Sequence, residues 1–325
     1  LARTPRGVRI RPRQVVRLWI VGLAVCGTMG YGAYRLSSAN FREGPKLALT
    51  QTNFEQRYKM GAEPMLILER LSHLVGRAIS SGTPPDLIVW PETAYPFGFI
   101  SIKPGLPEDE LTRQIKIISE ELTLKEWLYK RDRILENLHQ LADAAKVPVL
   151  VGSLLYDHRA AGYSKYNSAI LFQPDSREWT AYHKIHLVPF GEFIPFLDQL
   201  PWLTIFTPYH DGYVPLLTFG TEPTTFKLGP YKIAAPICFE DTVPHVARRF
   251  FQHKPDETDP DLLINLSNDG WFQGSSDLDM HLAVSVFRTV EHRVPLARAV
   301  NTGITALIDG NGAIRDQLPR MTEAI

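Results

Sequence analysis

The sequence predicts an α/β protein, with helices covering its sheets, preceded by one membrane-spanning helix. From residue 46 onward, short apolar runs of strand length alternate with amphipathic helical stretches, as expected for sheets buried on both faces. Ahead of them, Leu18–Tyr34 (LWIVGLAVCGTMGYGAY) carries no charged side chain. The chain of 325 residues is 44% hydrophobic and 22% charged, enough to bury a sizeable core in one large domain or two small ones. Lys plus Arg and Asp plus Glu number 35 each, so no global basic field points to nucleic acid.

At about 1.5 Å per residue the apolar run is roughly 25 Å long, slightly short of a hydrocarbon core of about 30 Å. Extending it to Leu36 lets Arg17 and Arg35 snorkel from its two ends, which gives an expected span over residues 18–36. Arg3, Arg6, Arg9, Arg11, Arg13 and Arg17 precede the span with no acid among them. Residues 1–17 are therefore expected in the cytoplasm and everything after 36 on the outer side. A cleaved signal peptide has the same basic front and apolar middle. Tyr31 and Tyr34 suit a membrane interface better than a cleavage site, which favours the span. Because the chain begins at Leu1 rather than Met and ends at Ile325 without a polar tail, a fragment of a longer chain is expected.

A polar linker over residues 37–45 leads into the soluble part, residues 46–325. Lys46–Thr52 reads as a strand, and Met60–Ser80 as a helix with Met65, Leu68, Leu71, Leu74 and Ile79 at helical spacing. Leu87–Trp90 ends in Pro91, the pattern of a buried strand meeting a loop. One long charged helical stretch follows from about Asp109 to Lys146, then strands over Val147–Tyr156, Ser168–Phe172 and Trp179–His183. Residues 188–223 hold many prolines and aromatics without a period and read as a long ordered loop, the kind that usually serves as lid or binding segment. Strands over Thr224–Lys227 and Tyr231–Ile237, a helix near Val243–Gln252 and a strand over Leu262–Leu266 come next. A helix with a stripe of Leu278, Leu282, Val286, Val290 and Val294 precedes the last strands, Ala297–Val300 and Ile304–Ile308.

The sequence has 2 cysteines: Cys26 in the apolar helix and Cys238 far along the soluble part, so no disulfide between them is expected. A lone thiol on the oxidising side of a membrane is a liability unless it has a task, which draws attention to Cys238. Glu92 follows Ile88-Val89-Trp90-Pro91, Lys184 follows Ala181-Tyr182-His183, and Cys238 follows Ile233-Ala234-Ala235-Pro236-Ile237. Each sits where a strand ends, and loops at strand ends converge to build sites in open α/β sheets. An acid, an ammonium and a thiol meeting there form an acyl-transfer set: thiol as nucleophile, carboxylate as proton acceptor, ammonium as oxyanion stabiliser. Singly, each has a plainer reading as a small buried Cys, a capping or surface Glu, and a solvated Lys. The 10 histidines show no ligand spacing, so no metal is expected. His183 and His186 read as packing or hydrogen-bonding residues, and Arg288, Glu291 and Arg298 as structural ion pairs. Trp271 and Phe272 read as pocket wall, with core packing an equal alternative.

The text around these residues is specific. Trp90-Pro91-Glu92-Thr93, the stretch from Tyr182 to Pro195 (YHKIHLVPFGEFIP) and Pro236-Ile237-Cys238-Phe239-Glu240 resemble the nitrilase superfamily. They are most similar to its membrane-bound branch, the apolipoprotein N-acyltransferases, as are Asn265–Phe272 (NLSNDGWF) and Asn301-Thr302-Gly303-Ile304-Thr305. The resemblance runs in order over about residues 46 to 320, and Pro-Phe-Gly-Glu-Phe-Ile-Pro is what separates this branch from soluble amidases. It implies a nitrilase-like α-β-β-α sandwich with Glu92 as proton acceptor, Lys184 as oxyanion stabiliser and Cys238 as nucleophile. It also implies a second essential acid at Glu192, supporting roles for Phe239 and Glu240, and no cofactor. The branch often has Tyr where this chain has Phe239, so a hydroxyl role there is lost while the backbone N–H remains available.

The reaction implied is ping-pong. Cys238 takes an acyl chain from a phospholipid as a thioester, and the α-amine of a diacylglyceryl-cysteine apolipoprotein takes it from the thioester. Both substrates live in a bilayer, which explains anchoring the domain at its surface, and the resemblance implies a multi-pass inner-membrane protein with its catalytic domain on the periplasmic side. Trp202 and Phe206, with Trp271, are candidate lid or pocket residues. A membrane-anchored amidase acting on a small amide and a non-catalytic binding module are the rival readings. The aromatic loop argues against the first and the intact Glu–Lys–Cys set against the second.

Overall fold

The computed structural model describes residues 12–38, 41–54, 64–209, 216–252 and 258–325. Residues 1–43 and 44–325 form two compact units. In the first, α1 (Pro12–Ser37) contains the whole apolar run. Among the described residues it is the one helix long and apolar enough to cross a membrane. Arg3, Arg6, Arg9 and Arg11 of the basic segment lie outside the described residues.

The second unit is built on two six-stranded sheets. The first runs β1 (Leu47–Leu49), β2 (Leu87–Val89), β4 (Val149–Arg159), β5 (Gly162–Phe172), β6 (Trp179–His183), with β3 (Phe99–Ile102) paired to the far end of β4. β1, β2 and β4 are parallel, whereas β4, β5 and β6 form an antiparallel meander. The second sheet runs β12 (Ile314–Gln317), β11 (Ala306–Ile308), β10 (Leu296–Val300), β9 (Leu262–Ser267), β8 (Tyr231–Ala234), β7 (Thr225–Leu228). Its centre, β8, β9 and β10, is parallel, and antiparallel strands flank it.

Side-chain alternation assigns the layers. In β2, Ile88 joins the core under helices α2 (Pro64–Ile79), α3 (Glu108–Ile118) and α4 (Leu124–Ala145), while Leu87 and Val89 join the core shared with the second sheet. β5 divides the same way, Ile170 and Phe172 one way and Ala169 and Leu171 the other. Helices α5 (Pro244–Arg249) and α6 (Asp277–His292) belong to the second sheet's half of the chain. This is an α/β arrangement of two sheets sharing a core, as the strand and helix pattern predicts, and it is the sandwich that the family resemblance implies.

Several elements differ from expectation for identifiable reasons. The single helix expected over 109–146 is two, because Ser119 turns extended and Thr123 opens a new helix with a capping box to Glu126. In α2 the buried stripe is Ile67, Leu71, Leu74, Val75 and Ala78, leaving Met65 exposed, and residues 60–63 lie outside the described residues. β3 lies in a Pro- and Gly-interrupted stretch, and all four residues of β12 are exposed, so neither shows a strand's alternation. α6 buries His281, Ser285, Arg288 and Thr289 beside Leu278 and Leu282, a largely polar face that an apolar stripe does not foretell.

Two glycines let chain segments cross at contact distance. A Cβ on Gly152 would sit 2.1 Å from the Pro91 carbonyl oxygen, so only glycine lets β4 pass beneath the turn that carries Glu92. A Cβ on Gly220 would sit 2.1 Å from the His183 carbonyl oxygen, where the Gly220 N–H donates to the Lys184 carbonyl at 2.8 Å.

Candidate active site

Glu92, Lys184 and Cys238 converge beyond the ends of β2, β6 and β8. Lys184 follows β6 directly, and its N–H donates to the Asn167 carbonyl at 2.8 Å, which continues the β5–β6 pairing by one step. Its side chain is 1% exposed, and its ammonium lies 3.1 Å from Glu92 Oε1 and 2.9 Å from Glu192 Oε2. The Asn167 amide donates to both acids, to Glu92 Oε1 at 2.7 Å and to Glu192 Oε1 at 2.9 Å. The remaining carboxylate oxygens meet backbone N–H groups: Asn268 on Glu92 at 3.0 Å, Val188 on Glu192 at 2.8 Å. Burial alone would strip the proton from Lys184. The charges of Glu192, Glu92 and Cys238 outweigh burial and hold the ammonium well above its ordinary range.

Cys238 opens the 3-10 turn Cys238–Thr242 with φ 51°, a left-handed conformation that costs a non-glycine residue about 1–3 kcal/mol. The turn is held from beneath by Glu240. Its buried carboxylate accepts from the N–H groups of Ile237 (2.7 Å), Ile185 (2.7 Å) and His186 (2.9 Å) and from the Tyr182 hydroxyl (2.8 Å). One side chain thus ties the cysteine turn to the strand end bearing Lys184. Burial lifts Glu240 to about 7, against the pull of these donors. The Asn265 amide donates to the Cys238 carbonyl at 2.9 Å, which fixes the turn from β9. Burial first, and then the charge of Glu92, push the Cys238 thiol well above its usual range, while Lys184 and the Ser267 hydroxyl pull it back. A thiol in that setting needs a base at the moment of attack, and a carboxylate and an ammonium stand on the same side.

Phe239 is half-exposed and stacks on His186 at 6.1 Å between centroids. His183 meets the Ser168 hydroxyl at 2.8 Å and stacks on Tyr166, a packing and hydrogen-bonding residue as expected. Trp271 is 40% exposed and meets Tyr209 edge-on, so it is not a core residue. Trp202 and Phe206 belong to a short 3-10 helix, Pro201–Phe206, in the aromatic loop, and are 57% and 58% exposed. Residues 210–215 of that loop lie outside the described residues. Among the described residues no group of three His, Cys, Asp or Glu could hold a metal ion.

Arg298 and the Arg288–Glu291 pair form ion pairs as expected, but sequence reasoning misses Asn167, Tyr182 and the Asp and His partners of Arg298 in a second charged group. Asp241, Asp269, His281 and Arg298 form a buried cluster: His281 lies 3.0 Å from Asp269 and 2.9 Å from Asp241, and Arg298 lies 2.7 Å from Asp241. Both imidazole nitrogens face carboxylates, so both carry protons. The only signal in the sequence is the polar residue every fourth position on the inner face of α6, His281 and Ser285.

With this geometry in hand, relatives are informative. The carbon-nitrogen hydrolase family pattern matches residues 46–325, and the chain belongs to that family. Within the family, the chain is similar to an apolipoprotein N-acyltransferase of Geobacter metallireducens, 33% identical over 97% of this chain and 53% of the relative. It is also similar to apolipoprotein N-acyltransferase 1 of Treponema denticola, 28% identical over 89% of this chain and 51% of the relative. The chain thus spans about half the length of these curated relatives. Among solved structures, Saccharomyces cerevisiae Nit3, of the nitrilase superfamily, superposes with TM-score 0.56 at 17% identity, covering 87% of this chain and 89% of its own. The Xanthomonas campestris CN-hydrolase superfamily protein XC1258 superposes with TM-score 0.54 at 15% identity, covering 87% and 88%. At these identities the two structures establish the fold.

The charged cluster sets a pH dependence. Burial alone would lower His281, but Asp241 outweighs it and raises the imidazole to about 9. A raised histidine contributes stability that is complete below about 6.5 and is lost as pH rises through 9. The shift corresponds to roughly 3 kcal/mol. Thermal unfolding followed between pH 7 and 9.5 should show the melting temperature falling, and His281→Asn should remove most of that slope.

Proposed function

We propose that the chain carries the catalytic domain of an apolipoprotein N-acyltransferase, moving an acyl chain from a phospholipid to the N-terminal amine of a lipoprotein through a thioester on Cys238. The observation that carries this reading is a buried Glu92–Lys184–Glu192 ion network facing the one thiol of the domain, itself held in a strained turn. The similarity to proteins named apolipoprotein N-acyltransferase supports the substrates.

In the first half-reaction the Cys238 sulfur attacks the ester carbonyl carbon while Glu92 takes the thiol proton. The carbonyl oxygen becomes an oxyanion facing the Lys184 ammonium, with the Phe239 N–H as second donor. Collapse breaks the C–O bond, the lysophospholipid leaves with the proton held by Glu92, and the acyl group stays on sulfur. In the second half the lipoprotein α-amine attacks the thioester carbonyl and gives its proton to Glu92. The Cys238 thiolate leaves and is reprotonated, and the amide is formed. An amine that is partly neutral near pH 8 is a competent nucleophile towards a thioester. Glu192 acts through Lys184, holding it charged and aimed.

The domain division follows the same reading: 1–17 basic and cytoplasmic, 18–36 spanning, 37–45 linking, and 46–325 catalytic on the periplasmic side of the inner membrane. The aromatic loop serves as a lid at the bilayer surface. A sixteen-carbon chain crossing open water at about 0.8 kcal/mol per CH₂ would lose on the order of 10 kcal/mol, too much for a fast enzyme. Phe196, Ile205, Trp202 and Phe206 are 71%, 73%, 57% and 58% exposed, which supports a cover for acyl chains over a second small core. The same exposure favours a lipid substrate over the small amide of a membrane-anchored amidase.

Incubation with labelled phospholipid should place a hydroxylamine-sensitive label on the protein. Cys238→Ala and Glu92→Gln should abolish it and Cys26→Ala should leave it; label retained on Cys238→Ala contradicts the mechanism. Replacing Trp202 and Phe206 with Ser should slow thioester formation from long-chain phospholipid by about tenfold or more while sparing a short-chain soluble ester. Equal slowing on both would make the loop a packing element.

A further inference from the structure

The buried charged cluster takes no part in the reaction above, yet it joins the two segments that must act together in it. Asp241 lies in the same 3-10 turn as Cys238. Asp269 follows Asn268, whose N–H donates to Glu92 Oε2 at 3.0 Å. Each carboxylate gives one oxygen to His281 and the other to Arg298. His281 Nε2 lies 2.9 Å from Asp241 Oδ1, and its Nδ1 lies 3.0 Å from Asp269 Oδ1. Arg298 Nη1 lies 2.7 Å from Asp241 Oδ2, and its Nη2 lies 3.4 Å from Asp269 Oδ2. The side chains close a ring in which both carboxylates are spanned by both cations, one cation from α6 and the other from β10.

The ring has little slack. Asp241, Asp269 and Arg298 are at most 1% exposed and His281 is 6% exposed, so water is a poor substitute for any of them. A Cβ on Gly303 would collide with the Asp269 carboxylate, which therefore lies wedged against backbone. Asn268 is fixed from its other side, where the Asn301 amide donates to its Oδ1 at 2.9 Å. Glu92 is thus aimed by a loop whose next residue is tied through one imidazole to the turn of the thiol. At Asp269 the imidazole is the closer of the two cations, 3.0 Å against 3.4 Å, so His281 carries more of the register than Arg298 does. Without it the ring opens and leaves a net negative charge in a dry interior, which favours separation of the two segments. A shift of about 1 Å between base and nucleophile can cost on the order of a hundredfold in rate.

We infer that His281, with Arg298 as its partner in the ring, is a positioning residue that holds the turn of Cys238 in register with the loop aiming Glu92. The inference rests on Glu92 and Cys238 being base and nucleophile, and its test separates the two. In the full chain carrying Cys26→Ala, acyl-enzyme formation from a short-chain soluble ester is followed between pH 6 and 8, with iodoacetamide alkylation of Cys238 and melting temperature alongside. Alkylation needs the sulfur alone, whereas acylation needs sulfur and base in line with one carbonyl. His281→Asn should slow acylation at saturating ester by about tenfold or more, with little change in apparent KM, and leave alkylation within about threefold. His281→Gln is read in the same way should His281→Asn fail to fold. Ser285→Ala takes a buried hydroxyl from Asp241 but leaves the ring closed, and should stay within about threefold of the parent on both readouts. Unchanged acylation in a folded His281 variant overturns the inference. So does a joint loss of acylation and alkylation, or an equal loss in Ser285→Ala, since the cluster would then serve only to hold the fold. Acyl label persisting on Cys238→Ala would instead overturn the acyl-transfer reading, whatever the His281 variants show.

Discussion

An ammonium that is 1% exposed must be matched by charge, and much of the site follows from that requirement at Lys184. Removing one partner of such a buried pair typically loses 3–5 kcal/mol, because the survivor is left charged and dry. Two carboxylates surround one ammonium, so a net negative charge remains. It is spread over the Asn167 amide and the N–H groups of Asn268 and Val188 rather than over water. These donors come from β5, from the loop after β9 and from the loop after β6. The ion network can form only where both sheets present their strand ends together.

The second buried cluster has the opposite character. Asp241 and Asp269 are balanced by His281 and Arg298, so the group is neutral while the imidazole is protonated. It holds the far side of the cysteine turn, and Glu240 holds the near side through four donors. The strain of a left-handed Cys238 is sustained by hydrogen bonds on both flanks. One network is thus electrically unbalanced beside the sulfur and the other balanced behind it, a division that suits chemistry in the first and support in the second.

Much of this was legible in the sequence where apolar periodicity was strong. The buried strands β2, β9 and β10, the buried end of β5 from Ser168 to Phe172, and the positions of Glu92, Lys184 and Cys238 at strand ends follow from short apolar runs and the residues that stop them. β12 was illegible because an exposed edge strand carries no alternation. The break between α3 and α4 hid in a charged stretch whose only sign is Thr123 three residues before Glu126. The polar partners were the least legible. Asn167, Asp269 and His281 gain meaning only when residues far apart in the chain, such as Asn167 and Glu92, are brought within hydrogen-bond distance. The inner face of α6 shows why: polar side chains on a buried face look like surface until the cluster that neutralises them is assembled.

The proposed mechanism requires Lys184 and Glu192 to act as one buried electrostatic unit that sets the reactivity of the thiol. A double-mutant cycle with Lys184→Met and Glu192→Gln, read in unfolding free energy and in the alkylation rate of Cys238, measures that unit directly. A coupling on the order of 2–3 kcal/mol in stability, with a matching non-additive loss of thiol reactivity, is the expected result. Additive effects within about 0.5 kcal/mol would contradict the account, since the two charges would then act independently.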